Sequence, residues 1–274
     1  MANRLHLEIA GSTDTGLVRS QNEDAIVLEP ARGFVVLADG MGGYNAGEVA
    51  SSMATTVTRD HLVHAISAPG DGGDEHPLPS RQLHELMVSA IRAANTAVFE
   101  AALAEPEYHG MGTTIIAAVF GQEKITIAHV GDSRGYRFRN NELSKVTRDH
   151  SLLQEQIDAG LIDAAMARFS QSKNLVTRAI GVGVDVEVEI HDHQLQPGDL
   201  YLLCSDGLSD MLSDEEIAGI LANKQDSLEA SCQALIKRAN DNGGFDNISV
   251  VLARIRSTGV EASGILGRIL SWVS

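Results

Sequence analysis

The stretch Phe34–Gly43, FVVLADGMGG, decides how this chain is read. An apolar run stops on a carboxylate, Asp39, and glycine occupies positions 40, 42 and 43. An isolated Asp beside Gly is ordinarily a turn former. The same pattern recurs, however. YLLCSDGLSD ends an apolar run at Asp206-Gly207, and AHVGDSRG ends one at Asp132. NGGFDNISVV sets Asp246-Asn247 at the start of a run, and RSQNEDA sets Glu23 and Asp24 ahead of AIVL. If these strand ends meet in space, their mutual repulsion calls for a cation. Oxygen-only ligands suit Mg²⁺ or Mn²⁺ rather than zinc, which prefers His and Cys. Glycine at position 40 lets its main-chain carbonyl approach such an ion closely.

Composition narrows the class. A chain of 274 residues with 43% hydrophobic content can build one large core, so one domain is expected. The net charge of −16 opposes nucleic acid and anionic lipid as partners, and with them a nuclease reading. Apolar runs of about ten residues are too short to span a bilayer. The start, MANRLHLEIAGSTD, has no apolar signal region, so a soluble cytoplasmic protein is expected. Cys204 and Cys232 lack a CxxC spacing and read as two reduced thiols.

Val-, Ile- and Thr-rich runs bounded by turn residues read as strands: LHLEI, GFVVLAD, GTTIIAAVFG, KITIAHVG, VEVEIHDH, DLYLLCSDG and NISVVLARI. FGQEKI is a hairpin turn, and strands so close in sequence argue for antiparallel pairing. Ser80 is placed to cap a helix with apolar residues from Leu83 to Val98 on one face, and residues 46–64 repeat the pattern less cleanly. SDEE at 213–216 is a capping box, and Leu228, Cys232, Leu235 and Ile236 mark another helix. The order argues for α+β layering. Residues 67–80 read as a Gly/Pro/Asp-rich loop, 150–180 as a surface subdomain and 257–274 as a tail with an amphipathic helical face that packs on protein rather than membrane. His191 and His193, flanking Asp192, read as solvated surface.

Seven motifs, DTGLVRSQNEDA, LADGMGG, GTT, VGDSRGY, TRDHS, CSDGL and DNISVV, follow one another in the order seen in the metal-dependent protein phosphatases, the protein phosphatase 2C family. The resemblance covers roughly residues 5 to 256, and the compact GMGG form resembles the bacterial branch. It implies a four-layer α/β/β/α sandwich of two antiparallel sheets flanked by helices, with a flap subdomain at about 150–180 in a catalytic domain of residues 1–256. By the same resemblance Asp39 bridges two Mn²⁺ or Mg²⁺ ions. Asp206 and Asp246 hold the first, Glu23 and the Gly40 carbonyl the second, and Asp24 acts through water. Asp132, with Asp206, matches a third, weaker site, and Arg19 takes the phosphate through its two-pronged guanidinium. The implied activity is hydrolysis of phosphoserine and phosphothreonine by attack of a metal-bridging water or hydroxide. Its partners are phosphorylated proteins and a cognate bacterial Ser/Thr kinase, and a monomer is expected. The alternative is an inactive phosphoprotein-binding module. Met41 departs from the eukaryotic pattern, where histidine is proposed as the general acid, and His150 reads as structural.

Overall fold

In the computed structural model the described residues are 5–43, 46–68, 78–163, 175–223 and 227–257. Along β3 (Phe34–Met41), Phe34 and Val36 face one way and Val35 and Leu37 the other, and all four are fully buried. Successive strand side chains point to opposite faces, so a strand buried on both faces must lie between two packed layers.

Two antiparallel sheets supply those layers. One runs β1 (Leu5–Asp14), β11 (Ile248–Ser257), β10 (Leu200–Cys204), β7 (Arg134–Arg139) and β8 (Glu142–Lys145). The other runs β2 (Asp24–Glu29), β3, β5 (Ile115–Phe120), β6 (Lys124–Val130) and β9 (Glu189–Gln194), with the short β4 (Gly112–Thr113) beside the end of β3. Between the sheets Val35, Leu37, Ile116, Ile127, Leu203 and Val251 form a buried apolar middle layer. Helices α1 (Ala46–Ala65) and α2 (Ser80–Ala104) cover the outer face of the second sheet, and the helices Asp214–Leu221 and Leu228–Asp241 cover the first. This is the expected four-layer sandwich. Each fully buried aliphatic side chain stabilises it by about 1.5–3 kcal/mol.

Local signals explain most boundaries. Ser213 and Glu216 form the expected capping box, and Ser227 caps the helix Leu228–Asp241 by accepting from the Ala230 N–H. The cap expected at Ser80 is corrected: the helix starts at Ser80 itself, Pro79 holds the N-cap position, and no side chain caps it. α2 is long and apolar enough to cross a bilayer by length and composition. Its Met87, Ala90, Ile91, Ala94 and Val98 instead face the core. The hairpin at FGQEKI is closed by the Gly121 N–H on the Lys124 carbonyl at 2.8 Å. The β7–β8 hairpin lies outside the expected strands. Of the 150–180 segment, α3 (Leu152–Asp158) and an antiparallel bridge between Ser151 and Val176 are described. Residues 164–174, part of the loop at 67–80 and the tail from 258 lie outside the described residues.

Candidate active site

The carboxylates singled out in the sequence gather at one end of the sandwich. Asp24, first residue of β2, pairs directly with Asp39 on β3. The GTT segment clamps the Asp39 backbone. The Thr114 N–H and the Thr113 hydroxyl both donate to the Asp39 carbonyl at 2.8 Å, and the Asp39 N–H donates to Thr114 Oγ1 at 3.0 Å. The Thr114 hydroxyl in turn meets Ser133 Oγ at 2.7 Å, which ties β3 to the turn that carries Asp132. From the other sheet, Asp206 opens the short helix Asp206–Ser209 at the end of β10, and Asp246 precedes β11. Ser205 joins the two sheets by donating to Asp24 Oδ2 at 2.8 Å while accepting from the Ser249 N–H at 2.9 Å.

Asn247 organises the third loop. Its Oδ1 accepts from the Glu23 N–H at 2.7 Å, and its Nδ2 donates to the Thr15 and Gln21 carbonyls at 2.9 and 2.8 Å. Glu23 is thereby fixed beside the N-terminal turn of α1. A Cβ on Gly47 would stand 2.6 Å from Glu23 Cδ, and one on Gly40 would stand 2.0 Å from the Gly47 carbonyl oxygen. Glycine at these two positions thus admits the Glu23 carboxylate and the backbone of α1 into the same space. The crowding at Gly40 is a steric reason for that glycine beyond the carbonyl approach read from the sequence.

The electrostatics express this convergence. Burial first, then the carboxylates of Asp24, Asp206, Asp132 and Asp246, push Asp39 well above its ordinary 3.8. Burial together with Asp132, Asp210, Asp246 and Asp24 pushes Asp206 up to about 8. Asp24 rises to about 6, mainly through burial, against the bonds from Ser249 and Ser205 that favour its charge. Asp132 also rises to about 6, from burial and the neighbouring Asp149. Burial raises Glu23 as well, opposed by Arg19 and the Gly47 backbone. Asp210 joins the cluster without having been singled out. Four residues after Asp206, it accompanies it on one helical face, the spacing that could have revealed it.

Arg19 stands at the rim, its side chain 52% exposed, with Nη2 on Asp246 Oδ2 at 2.7 Å. The guanidinium is therefore held by one of the clustered acids, a pairing invisible in the sequence. Met41 ends β3, half-buried.

Oxygen donors alone, raised affinity for protons, and a buried Asp24 Oδ1 with no hydrogen-bond partner all fit a divalent cation at this place. Asp39, Asp206, Asp246 and Glu23 are the side chains that could hold it.

A second group, His129, His150 and Glu189, brings ligand atoms within 4.8 Å of one another. The two imidazoles stack with centroids 4.7 Å apart and planes at 16°, so their in-plane lone pairs run side by side. His150 Nδ1 accepts from the Gly131 N–H at 3.2 Å, which leaves the proton on Nε2, 3.2 Å from Glu189 Oε2. Burial lowers the pKa of both rings, keeping them neutral. These hydrogen bonds make His150 a prop for the Gly131–Asp132 turn. His191 accompanies it, with Nε2 2.9 Å from Glu189 Oε1, and Asp192 accepts from the Thr126 hydroxyl at 2.8 Å and contacts His84 Nε2 at 2.8 Å. Of the pair expected at the solvated surface, His191 is exposed and His193 half-buried, while Asp192 between them ties α2 to the sheet.

Known proteins resemble the chain over most of its length. The family model described as protein phosphatase 2C matches residues 18–252. The serine/threonine phosphatase stp of Listeria welshimeri is 37% identical over 243 residues, covering 88% of this chain and 92% of that protein. The serine/threonine protein phosphatase PstP of Mycobacterium tuberculosis is 39% identical over 260 residues, covering 92% of this chain but 45% of that longer protein. A solved structure of the catalytic domain of PstP in complex with two manganese ions superposes with a TM-score of 0.78 at 37% identity, covering 92% of this chain and all of that one. With its motifs in order, its two-sheet sandwich and its acids gathered at one end, the chain belongs to the protein phosphatase 2C family.

Proposed function

We propose that this chain is a metal-dependent serine/threonine protein phosphatase. The observation that carries the reading is the convergence of Asp24, Asp39, Asp132, Asp206 and Asp246 in one cluster beside an exposed arginine. In this reading Asp39, Asp206 and Asp246 would hold one Mn²⁺ or Mg²⁺ ion, and Asp39, Glu23 and the Gly40 carbonyl would hold a second. Asp24 would contribute through water, and Asp132 with Asp206 could hold a third ion more weakly. The two ions, when bound, supply Lewis-acid stabilisation of phosphoryl oxygens and a nucleophile at neutral pH.

The chain's own groups do the rest. Arg19 releases Asp246 and turns its fork onto two phosphate oxygens, anchoring an anionic group on a strongly acidic protein. The thiols take no part. Cys204 and Cys232 are buried and free, and burial pushes both up to about 12, so neither is a thiolate nucleophile at neutral pH. Leaving-group protonation does not come from Met41, which has no proton to give, nor from His150, whose ring is buried and engaged with Gly131 and Glu189.

The substrates are phosphoserine and phosphothreonine in proteins, and the chain opposes a cognate Ser/Thr kinase. Its reduced, buried cysteines support a cytoplasmic setting, and a monomer is the working form. An inactive phosphoprotein-binding module is the weaker reading, because every acid of the set is present. The test is release of phosphate from p-nitrophenyl phosphate and from a phosphothreonine peptide, with Mn²⁺ or Mg²⁺ and with chelator. Turnover that needs the metal supports the proposal; binding of the peptide without phosphate release refutes it.

A further inference from the structure

We propose that Leu17, Val18 and Phe245 form a docking surface for an apolar side chain adjacent to the phosphorylated residue of a polypeptide substrate. The three are 68%, 62% and 61% exposed. Single exposed apolar side chains are ordinary, but a group of them beside a functional site is not. Leu17 and Val18 lie on the loop that leads to Arg19, and Phe245 lies next to Asp246, so the apolar group borders the Arg19–Asp246 pair. This inference rests on the phosphatase reading and names the substrate feature that the same site would select.

The surface is built rather than incidental. The Leu17 N–H donates to the Gly244 carbonyl at 2.8 Å, and Asn247 Nδ2 holds the Thr15 carbonyl at 2.9 Å. Asn240 Nδ2 donates to Asp14 Oδ1 at 3.0 Å, which pins the start of the first loop to the helix preceding the second. The contact is close. A Cβ on Gly244, where φ is +53°, would stand 3.0 Å from Leu17 Cγ, and one on Gly243, where φ is +133°, would stand 2.9 Å from the Phe245 ring. Two consecutive residues in conformations that favour glycine thus leave room for Leu17 and Phe245 while the loops stay fixed. Side chains held outward on a rigid support give up little further freedom on contact.

Charge selects the kind of partner. With a net charge of −16 and a cluster of acids at the site, the protein repels acidic residues around the phosphate. Arg19 supplies one cationic anchor for the phosphate itself. Basic residues are attracted by the overall field wherever they lie, whereas Leu17, Val18 and Phe245 offer a residue next to the phosphate apolar contact alone. Three side chains suit one or two substrate residues and fall far short of the area of a stable protein interface.

The experiment compares phosphothreonine peptides that differ only in one flanking residue, Leu, Phe, Ser or Asp on either side. It uses the full chain with Mn²⁺, the Leu17→Ser and Phe245→Ser variants, and Leu103→Ser as an exposed apolar control on α2. The wild type is expected to favour Leu or Phe over Ser by about fivefold or more in kcat/KM, mostly through KM. Leu17→Ser and Phe245→Ser bring that ratio close to one, and Leu103→Ser keeps it. Equal rates on Leu and Ser peptides, or an unchanged ratio in Phe245→Ser, overturn the surface while leaving the phosphatase reading intact. No hydrolysis of any peptide or of p-nitrophenyl phosphate overturns both. A concentration-dependent dimer in sedimentation that Phe245→Ser abolishes reassigns the patch to self-association and also overturns it.

Discussion

Replacing Asp206 by asparagine is expected to stabilise the metal-free protein while removing its activity. In the fold without cations, Asp206 is pushed up to about 8 by burial and by Asp132, Asp210, Asp246 and Asp24, against 3.8 in an unperturbed chain. The folded state therefore holds a proton that the unfolded state gives up, and stability from this group falls as pH rises from about 4 to about 8. At pH 7 the difference spans roughly three pKa units, a ceiling of about 4 kcal/mol at 1.36 kcal/mol per unit. Relaxation of the neighbouring acids and water penetration around them reduce this to about 2 kcal/mol. Asp206→Asn removes the penalty with little change of shape. Urea unfolding in chelator should thus show the variant more stable than wild type by about 2 kcal/mol at pH 8, with the gap closing toward pH 4. Saturating Mn²⁺ should reverse the order, since a ligand at 100 times its Kd adds about 2.7 kcal/mol to the protein that binds it. A metal-free variant no more stable than wild type at pH 8 would refute the reasoning.

Four further outcomes are expected. Asn247→Ala removes three hydrogen bonds around Glu23 and should cost about 2–4 kcal/mol in denaturant unfolding, together with weaker Mn²⁺ binding by calorimetry. Gly47→Ala forces a Cβ to within 2.6 Å of Glu23 Cδ, so Mn²⁺ affinity should fall about tenfold or more while the far helices keep their circular dichroism. Arg19→Ala should raise KM for a phosphopeptide by about tenfold or more, and Arg19→Lys should recover only part of it, because the bidentate fork is lost. Cys204 and Cys232, both buried with thiols pushed up to about 12, should react with a thiol reagent at pH 8 only on unfolding, read as absorbance during a urea titration.

The middle of the fold was legible because its strands are apolar on both faces and stop abruptly. FVVLAD and YLLCSD announce both burial and the point where each strand leaves the core. The β7–β8 hairpin was not, because Arg134, Arg137 and Arg139 mask the strand pattern of RGYRFR. Its turn was nevertheless written in the chain. Asn140 and Asn141 adopt φ of 52° and 64° between the paired Arg139 and Glu142, the two-residue turn that asparagine tolerates. At α2, Ser80 looked like the cap because serine is the common one, yet proline before it already sets an extended entry. In the site, the acids were visible as charges at strand ends, whereas the residues that hold them were not. Ser205, Thr114 and Asn247 act through long-range hydrogen bonds to Asp24, Asp39 and Glu23, and no local spacing encodes partners so distant in the chain. Gly47 belongs with them, since only the packed structure shows what fills the space its missing side chain leaves.

Crystals grown with Mn²⁺ and measured at the manganese absorption edge test the central claim most directly. Two anomalous peaks among the carboxylates of Asp39, Asp206, Asp246 and Glu23 are expected, with Arg19 drawn away from Asp246 once phosphate is added. Peaks confined to the His129–His150–Glu189 group, with the acid cluster free of manganese, would contradict the account.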